Sequence, residues 1–412
     1  MSTLHHEHVG RRDRRHCIAN VYVHAPFCAR RCCYCDFAVE VERRPDGSRW
    51  LAAIGRELDT LRGSDEAPLA SKLDTLYVGG GTPSLLEPGC VAGLAGVIGS
   101  RRIEHPELEW TVEANPESFS ERVAGVWAAG GVNRISFGVQ SFDAGALRWM
   151  GRLHTAGDAR AAVERARAAG VANLSIDLIF GLPDNVPRSW EEDVMRALEL
   201  EVPHISLYGL TVERGTPLHR AVREGRAPMP AGGRYRDEYL YASETLSRAG
   251  YRHYEVSNFA LPGFASRHNR ACWEGLPYLG LGNGAHSYHG GRRWWNERGW
   301  ATYAEGIEHS GLARAGEEAL TVEQSRMESL WLGLRMAGGL DDERLDTQAV
   351  EPVLQRWEAA GWALRSAGRT TLTPRGWLLL DELTVELEST LEDPGIGRRP
   401  GARPPLRMHQ GA

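Results

Sequence analysis

The stretch Val23-His24-Ala25-Pro26-Phe27-Cys28-Ala29-Arg30-Arg31-Cys32-Cys33-Tyr34-Cys35-Asp36-Phe37 sets a C-x3-C-x2-C spacing directly after an apolar run that reads as a β-strand. Three thiolates on one short loop can each take a corner of a 4Fe-4S cubane. No fourth ligand follows at a regular spacing, so one iron of such a cluster keeps an exchangeable position. Zinc is the competing reading, since it takes four protein ligands, or three and a water. Cys33 is available for that fourth place, but it adjoins Cys32 and is expected to point away, as a passive small hydrophobe.

The other cysteines, Cys17, Cys90 and Cys272, bring the total to an odd seven. Four of them crowded into one loop make a poor disulfide framework and a good cluster or metal loop. The 412 residues suffice for two or three domains. With 42% hydrophobic and 25% charged residues, a buried core is expected. The net charge of −6 gives the whole molecule no electrostatic footprint for nucleic acid. No apolar run reaches the roughly 18 residues of a membrane span, and the first residues lack the apolar middle of a secretory signal. The expectation is a cytoplasmic protein that meets a membrane, if at all, only through a partner.

From residue 20 to about 210, β-rich runs alternate with amphipathic segments. The strands are expected at Val21–His24, Thr75–Gly79, Trp110–Glu113, Arg134–Gly138, Leu174–Phe180 and Ile205–Leu210. Helices are expected at Trp50–Leu61, Val91–Ile98, Glu121–Ala129, Ala159–Ala169 and Ser189–Leu200. Such alternation implies right-handed βαβ units and a parallel sheet. Six units fall two short of a closed eight-fold barrel, so the fold class is α/β, a partial (β/α)6 TIM-like barrel over 20–260. A helix Arg236–Ala249 and a β-like run His253–Phe259 close it. Residues 261–310 read as a linking segment, irregular from Pro262 to Trp300. Residues 311–392 read as a mostly helical, winged-helix-like domain, with helices Ser325–Met336 and Asp342–Ala360, a hairpin in Leu364–Leu372 and a helix from Pro374 to Glu388. Its Glu382, Glu386 and Glu388 favour packing or partner docking over DNA. Residues 1–19, with His5, His6, His8 and His16, and residues 393–412 read as flexible or disordered tails.

Ligands of parallel α/β barrels sit at the carboxyl ends of the strands. The second strand ends in Gly79-Gly80-Gly81-Thr82, whose glycines allow close backbone approach. The third ends in Glu113-Ala114-Asn115, and the fourth in Gly138-Val139-Gln140-Ser141, with Arg152 a dozen residues on. The fifth carries Asp177 inside an apolar run, where an unpaired charge would cost several kcal/mol. Each alone is also explained by a structural hydrogen bond, a tight turn or a surface charge; together they suit one zwitterionic ligand.

The cysteine loop resembles that of the radical S-adenosylmethionine superfamily, and the words YVHAPFC…CYCDF resemble its coproporphyrinogen-oxidase-like branch. The resemblance spans about residues 20–390. It implies Cys28, Cys32 and Cys35 as ligands of the 4Fe-4S cluster, with S-adenosyl-L-methionine on the open iron. It further implies Tyr22, Tyr34, Gly80, Gly81 and Thr82 as lining of that cofactor's site and Glu113 as its partner. Gln140 and Asp177 match the ribose-hydroxyl binders and Arg152 the residue that grips the carboxylate.

Within this branch the oxygen-independent coproporphyrinogen III oxidases carry a further cysteine two places after the third ligand, where this chain has Phe37, and a longer N-terminal region. Both departures point to the HemW-type heme chaperones, which resemble the oxidase but are thought to bind heme and pass it to an acceptor protein. That group carries a His-Asn-x-x-Tyr-Trp motif, here His268-Asn269-Arg270-Ala271-Cys272-Trp273 with Cys for Tyr. The resemblance thus makes His268 an axial-ligand candidate and Trp273 an apolar wall; His286 and His289 read as ordinary loop histidines. The alternative is a radical enzyme of the oxidase kind, in which the cofactor performs the chemistry. No electron donor is named by the sequence.

Overall fold

The computed structural model describes residues 17–63, 66–345 and 347–392. Six strands form the expected open row: β1 (Asn20–Ala25), β2 (Thr75–Gly80), β3 (Glu109–Ala114), β4 (Arg134–Gln140), β5 (Asn173–Phe180) and β6 (His204–Gly209). They are parallel and adjacent in sequence order, with the helices Gly47–Arg62, Pro88–Ile98, Glu121–Ala129, Ala156–Ala168 and Trp190–Glu199 between them. Helix starts follow local chemistry. Ser120, Thr155 and Ser189 each accept a backbone N–H two or three residues inside the helix, and Thr155 forms a full capping box with Asp158.

Alternation along each strand sends one set of side chains to the helices and the other into the barrel. Val21, Val23, Leu76, Val78, Trp110, Val112, Ile135, Phe137, Ile176 and Leu178 join one apolar core with the helix faces. Each such large side chain contributes about 1.5–3 kcal/mol by leaving water. The opposite set is polar: Tyr22 pairs in register with Tyr77, Tyr77 with Thr111, Thr111 with Arg134, Glu113 with Ser136, and Asp177 with Ser206. The barrel lumen is therefore a stack of hydrogen-bonding layers, unlike an apolar barrel centre.

Beyond the six units the structure departs from the sequence reading. The run His253–Phe259 is a hairpin of two strands, Arg252–Glu255 and Asn258–Ala260, added antiparallel to β6. Residues 262–300, read as irregular, contain the helix Arg267–Trp273 and the strands Tyr278–Leu281, His286–His289 and Arg292–Asn296. Tyr278–Leu281 runs parallel to β1, and the rest follow as an antiparallel meander ending in Arg314–Ala319. Among the described residues the sheet has twelve strands, so the expected linking segment 261–310 supplies its other flank. Ile18, placed in the expected flexible tail, is fully buried and its N–H donates to Pro68 O at 2.8 Å. Ala19 is buried as well; residues 1–16, with His5, His6, His8 and His16, and residues 393–412 lie outside the described residues.

The last part holds helices Val322–Arg335, Thr347–Ala359 and Leu380–Glu392 and a small antiparallel sheet. Leu334, Val350, Leu354, Trp357 and Leu387 make its own core. Arg335 fastens this core to the barrel: it pairs with buried Glu255 at 2.8 Å and lies 4.0 Å from the centre of the Trp273 ring.

Candidate cofactor site at the mouth of the barrel

The chain leaves β1 at Ala25, and Phe27–Cys28 pairs with Glu40–Val41 to form the base of the cysteine loop. Cys28 Sγ lies 3.4 Å from Thr82 Oγ1, just past β2. Asn115, after β3, donates through Nδ2 to the same Thr82 oxygen at 3.1 Å, and its Oδ1 accepts from Arg152 Nη2 at 2.6 Å. Arg152 Nη1 in turn reaches Cys32 Sγ at 3.8 Å, and Nη2 also donates to Gly138 O. One hydrogen-bonded chain thus runs Cys28–Thr82–Asn115–Arg152–Cys32, tying the loop to three strand ends.

Cys35 closes the loop, its N–H donating to Cys32 O at 3.4 Å. Burial pushes the Cys35 thiol up to about 11, with the neighbouring Cys32 and Cys28 adding to the rise. Cys28 is raised by burial too, and Cys32 raises it further while Arg152 opposes. The three thiols therefore sit within one another's fields, with a partly buried guanidinium on the same side. Cys33 does not join them: its Sγ faces Trp149 O at 3.5 Å, and its backbone is pinned to Met150 O and Leu218 N. Burial pushes that thiol up to about 12. Among the described residues no three His, Cys, Asp or Glu side chains are close enough together to hold a single metal ion. A zinc site needs donors that share one centre, whereas a cubane takes one thiolate on each of three different irons. Three thiols on one loop fit the cluster.

Next to the sulfurs, Gly138 keeps space that a side chain would fill: a Cβ there would lie 3.0 Å from Gln140 Nε2 and 3.2 Å from both Arg152 Nη2 and Asn115 Oδ1. Gln140 Oε1 is buried without a hydrogen-bond partner. Glu113 stands one layer deeper and accepts from Tyr77 Oη at 2.7 Å and Gly80 N at 2.9 Å. Burial pushes its carboxyl up to about 7 against those two bonds. Asp177 accepts from Ser136 Oγ at 3.3 Å, and burial lifts it to about 6. Tyr34 is half-buried beside Cys32 and Arg152; desolvation raises its hydroxyl, Cys32 adds to the rise and Arg152 opposes it. Tyr22 Oη is 2.9 Å from His24 Nδ1 and its ring stacks on Tyr77.

The glycines after β2 answer to protein neighbours as much as to any ligand. Gly80 has φ 105, and a Cβ there would strike the His24 ring; at Gly81 it would strike the Pro26 backbone. Sequence reasoning missed Tyr77, Arg134 and His24 and gave Asn115 no role. Their lumen-facing register is set by strand pairing, which the motifs do not display. An Arg inside a predicted strand was the one available signal, and Arg134 is 2% exposed.

His268 is not part of this mouth. It sits on the floor of the lumen, beside Thr75 at the start of β2, about 16 Å of strand below Gly80. Its N–H and that of Arg267 both donate to Glu109, which seats the helix Arg267–Trp273 against the barrel. The ring is 1% exposed, lies 5.0 Å from Tyr77, and its Nδ1 is 2.8 Å from Thr75 Oγ1. Thr75 gives its own hydroxyl proton to Asn20 Oδ1 at 2.9 Å, and Asn20 is oriented by donating to Pro277 O at 3.1 Å. Nδ1 of His268 must then be the donor, which leaves a lone pair on Nε2 with no partner. Burial and nearby Arg134 lower this imidazole to about 3, so it stays neutral. Cys272 is half-buried, and desolvation pushes its thiol up to about 12. Trp273 packs between Arg335 and Trp331.

A partial parallel barrel whose first strand leads into a loop of three thiols, with the Arg152 guanidinium against that loop and two carboxyls on the following strands, defines a radical S-adenosylmethionine protein, and the Radical SAM superfamily matches residues 22–197. The cofactors of that superfamily are the 4Fe-4S cluster and S-adenosylmethionine. Within it, the chain belongs to the HemW family. It is 38% identical over 373 residues to heme chaperone HemW of Mycobacterium tuberculosis (strain ATCC 25618 / H37Rv), covering 89% of this chain and 94% of that one. With heme chaperone HemW of Lactococcus lactis subsp. lactis (strain IL1403) it shares 36% identity over 329 residues, 80% of this chain and 84% of the relative. Its fold is similar to that of coproporphyrinogen III oxidase (HemN) from Escherichia coli, a radical SAM enzyme, with a TM-score of 0.75 at 22% identity over 90% of each chain. Among the described residues no helix is long and apolar enough to cross a membrane.

Proposed function

We propose that this chain binds heme and passes it to an acceptor protein in the cytoplasm, with Cys28, Cys32 and Cys35 holding a 4Fe-4S cluster. The observation that carries the reading is the likeness to heme chaperones over nearly the whole chain, joined to a cluster loop in which Phe37, not a cysteine, follows the third ligand. When bound, the cluster and S-adenosylmethionine supply one-electron chemistry at the mouth. The chain's own residues bind and orient. With the cofactor bound, Arg152 would offer a guanidinium fork to its carboxylate, Gln140 and Asp177 would hold its ribose hydroxyls, and Glu113 with Gly80, Gly81, Thr82, Tyr22 and Tyr34 would line the pocket. His268 is the candidate axial ligand of heme, supported by its fixed tautomer and unpartnered Nε2.

The test is anaerobic reconstitution of the full chain followed by titration with heme and with S-adenosylmethionine, read by optical and EPR spectra. A shifted Soret band and a perturbed cluster signal are expected. Heme that keeps its free spectrum sinks the chaperone reading. Formation of protoporphyrinogen from coproporphyrinogen, with 5′-deoxyadenosine released from S-adenosylmethionine, would replace it by the oxidase.

A further inference from the structure

Gln140 is the last residue of β4, and it is bent out of the sheet. Its φ is 68, a left-handed value for a residue with a side chain. Ser141 N donates to Val139 O at 2.8 Å, closing a three-residue turn around Gln140. A γ-turn of this positive-φ kind is strained, and such a conformation persists only where the surroundings impose it.

The surroundings do so from both sides. His154 Nε2 lies 2.9 Å from Val139 O, ahead of the bend. Behind it, Asp193 Oδ1 accepts from Phe142 N at 2.7 Å and Oδ2 accepts from Ser141 Oγ at 2.7 Å. Asp193 belongs to the first turn of the helix Trp190–Glu199, outside the lumen. Arg188 donates to Asp193 Oδ2 at 3.1 Å and pairs with Glu238 at 3.3 Å; the Arg188 and Asp193 side chains are 1% and 2% exposed. Arg188 also donates to Ile179 O at 2.8 Å, which ties the assembly to β5. A buried ion pair is a weak source of net stability against an apolar replacement. What this one does supply is a fixed carboxylate with one oxygen for each of the two residues after Gln140. Past the bend the Gln140 amide is enclosed: its Oε1 is buried and without a partner, and its Nε2 shares the space over Gly138 with Arg152 Nη2 and Asn115 Oδ1.

We propose that Asp193, backed by Arg188, is a positioning residue that holds the Val139–Phe142 turn and so aims the Gln140 amide at the ribose hydroxyls of S-adenosylmethionine. The inference rests on the reading of the pocket given above.

The experiment measures binding of radiolabelled S-adenosylmethionine to the anaerobically reconstituted full chain by equilibrium dialysis, together with iron content and melting temperature. Asp193→Asn is expected to weaken binding about tenfold, the value of one charge-assisted hydrogen bond, while iron content stays that of the wild type. In a Gln140→Gly background, where positive φ is free of strain and no amide remains to be aimed, Asp193→Asn has no further effect. Wild-type affinity in the single variant overturns the proposal, as does an equal loss in both backgrounds, the mark of a merely structural residue. Should Asp193→Asn fail to fold, Ser141→Ala removes one bond to the carboxylate and leaves the Arg188 pair intact; the same background-dependent loss, smaller in size, is expected, and its absence overturns the proposal. A wild-type chain without affinity for S-adenosylmethionine, or a Gln140→Gly chain with unchanged affinity, strikes the pocket reading itself and the inference with it.

Discussion

Arg152 touches the Cys32 sulfur with one guanidinium nitrogen, at 3.8 Å, and holds Asn115 Oδ1 with the other, at 2.6 Å. The group is partly buried, and the acidic neighbours Tyr34, Cys32 and Glu117 hold its charge in place against the cost of burial. Removing it strips a donor from Asn115 and from Gly138 O and takes a positive charge from beside the thiols. Arg152→Ala is expected to keep a cluster, since no thiolate is lost, but to bind S-adenosylmethionine at least about tenfold more weakly, a charge-assisted bond of about 1.5–3 kcal/mol being gone. Arg152→Lys should recover only part of this, because an ammonium cannot make the fork. Dialysis with the labelled cofactor decides; unchanged affinity in the alanine variant removes Arg152 from the site.

Cys32 and Cys33 are adjacent in sequence, and their sulfurs meet different neighbours. The Cys33 sulfur turns to Trp149 O behind the loop. Cys33→Ser is therefore expected to keep the iron content and visible absorbance of the reconstituted wild type, with a stability loss within about 1 kcal/mol for polarising a partly buried site. Serine at Cys28, Cys32 or Cys35 should each abolish the cluster. A chain that loses iron on changing Cys33, and retains it on changing Cys35, would mean that the ligand set has been misassigned.

The six βα units were readable because apolar alternation and turn residues recur in every one. Strand ends moved by one or two residues only, as at Gln140, which extends β4 past Gly138 by the bend described above. The flank 262–300 was not readable. Its strands are four or five residues long and rich in His, Trp, Tyr and Arg, so no alternation stands out, and glycines with positive φ, Gly275, Gly282, Gly284, Gly290 and Gly291, punctuate it. What places it is the parallel pairing of Tyr278–Leu281 with β1, a contact more than 250 residues away in sequence that local patterning does not encode.

The mouth of the barrel shows the same division. Glu113, Gln140, Arg152 and Asp177 were legible because each polar residue interrupts or follows an apolar strand. Asn115 and Thr82 were quoted as parts of motifs, yet their function as links between Cys28 and Arg152 needed the lateral order of β2, β3 and β4. His268 shows the reverse case: a motif singles out the residue, and only the structure reveals that it is walled in.

That enclosure has a consequence for heme. Iron cannot approach Nε2 of a ring that is 1% exposed and covered by Tyr77 unless the helix Arg267–Trp273 lifts from Glu109. If His268 is the ligand, heme binding should raise deuterium uptake at the amides of Arg267 and His268, which are now held by Glu109, and His268→Ala should cancel that rise. Thr75→Val, which removes the acceptor for Nδ1–H, should weaken heme binding about tenfold or more, in line with the loss of an orienting partner. A Soret shift accompanied by unaltered exchange at these amides would place heme elsewhere on the chain.

Glu57 offers a check on the other flank, away from the thiols. It lies in the helix Gly47–Arg62, is 2% exposed, and accepts from Tyr303 Oη at 2.6 Å, Gly282 N at 2.9 Å and Asn296 Nδ2 at 2.6 Å. It thereby pins this helix to the loop after Tyr278–Leu281. Burial outweighs the three donors and pushes the carboxyl up to about 7 from an ordinary value of 4.5. Between those two values the folded chain keeps a proton that the unfolded chain has released, so stability declines as pH rises through the interval and levels off above it. The shift corresponds to a decline on the order of 3 kcal/mol attributable to this one group. Glu57→Gln cannot ionise. Its denaturation free energy is expected to fall less steeply than that of the wild type from about pH 5 to pH 8, whatever constant offset the altered hydrogen bonds add. Urea unfolding at several pH values, compared as slopes, tests this. Parallel curves would mean that Glu57 is ionised throughout, and that its three donors outweigh the cost of burying the charge.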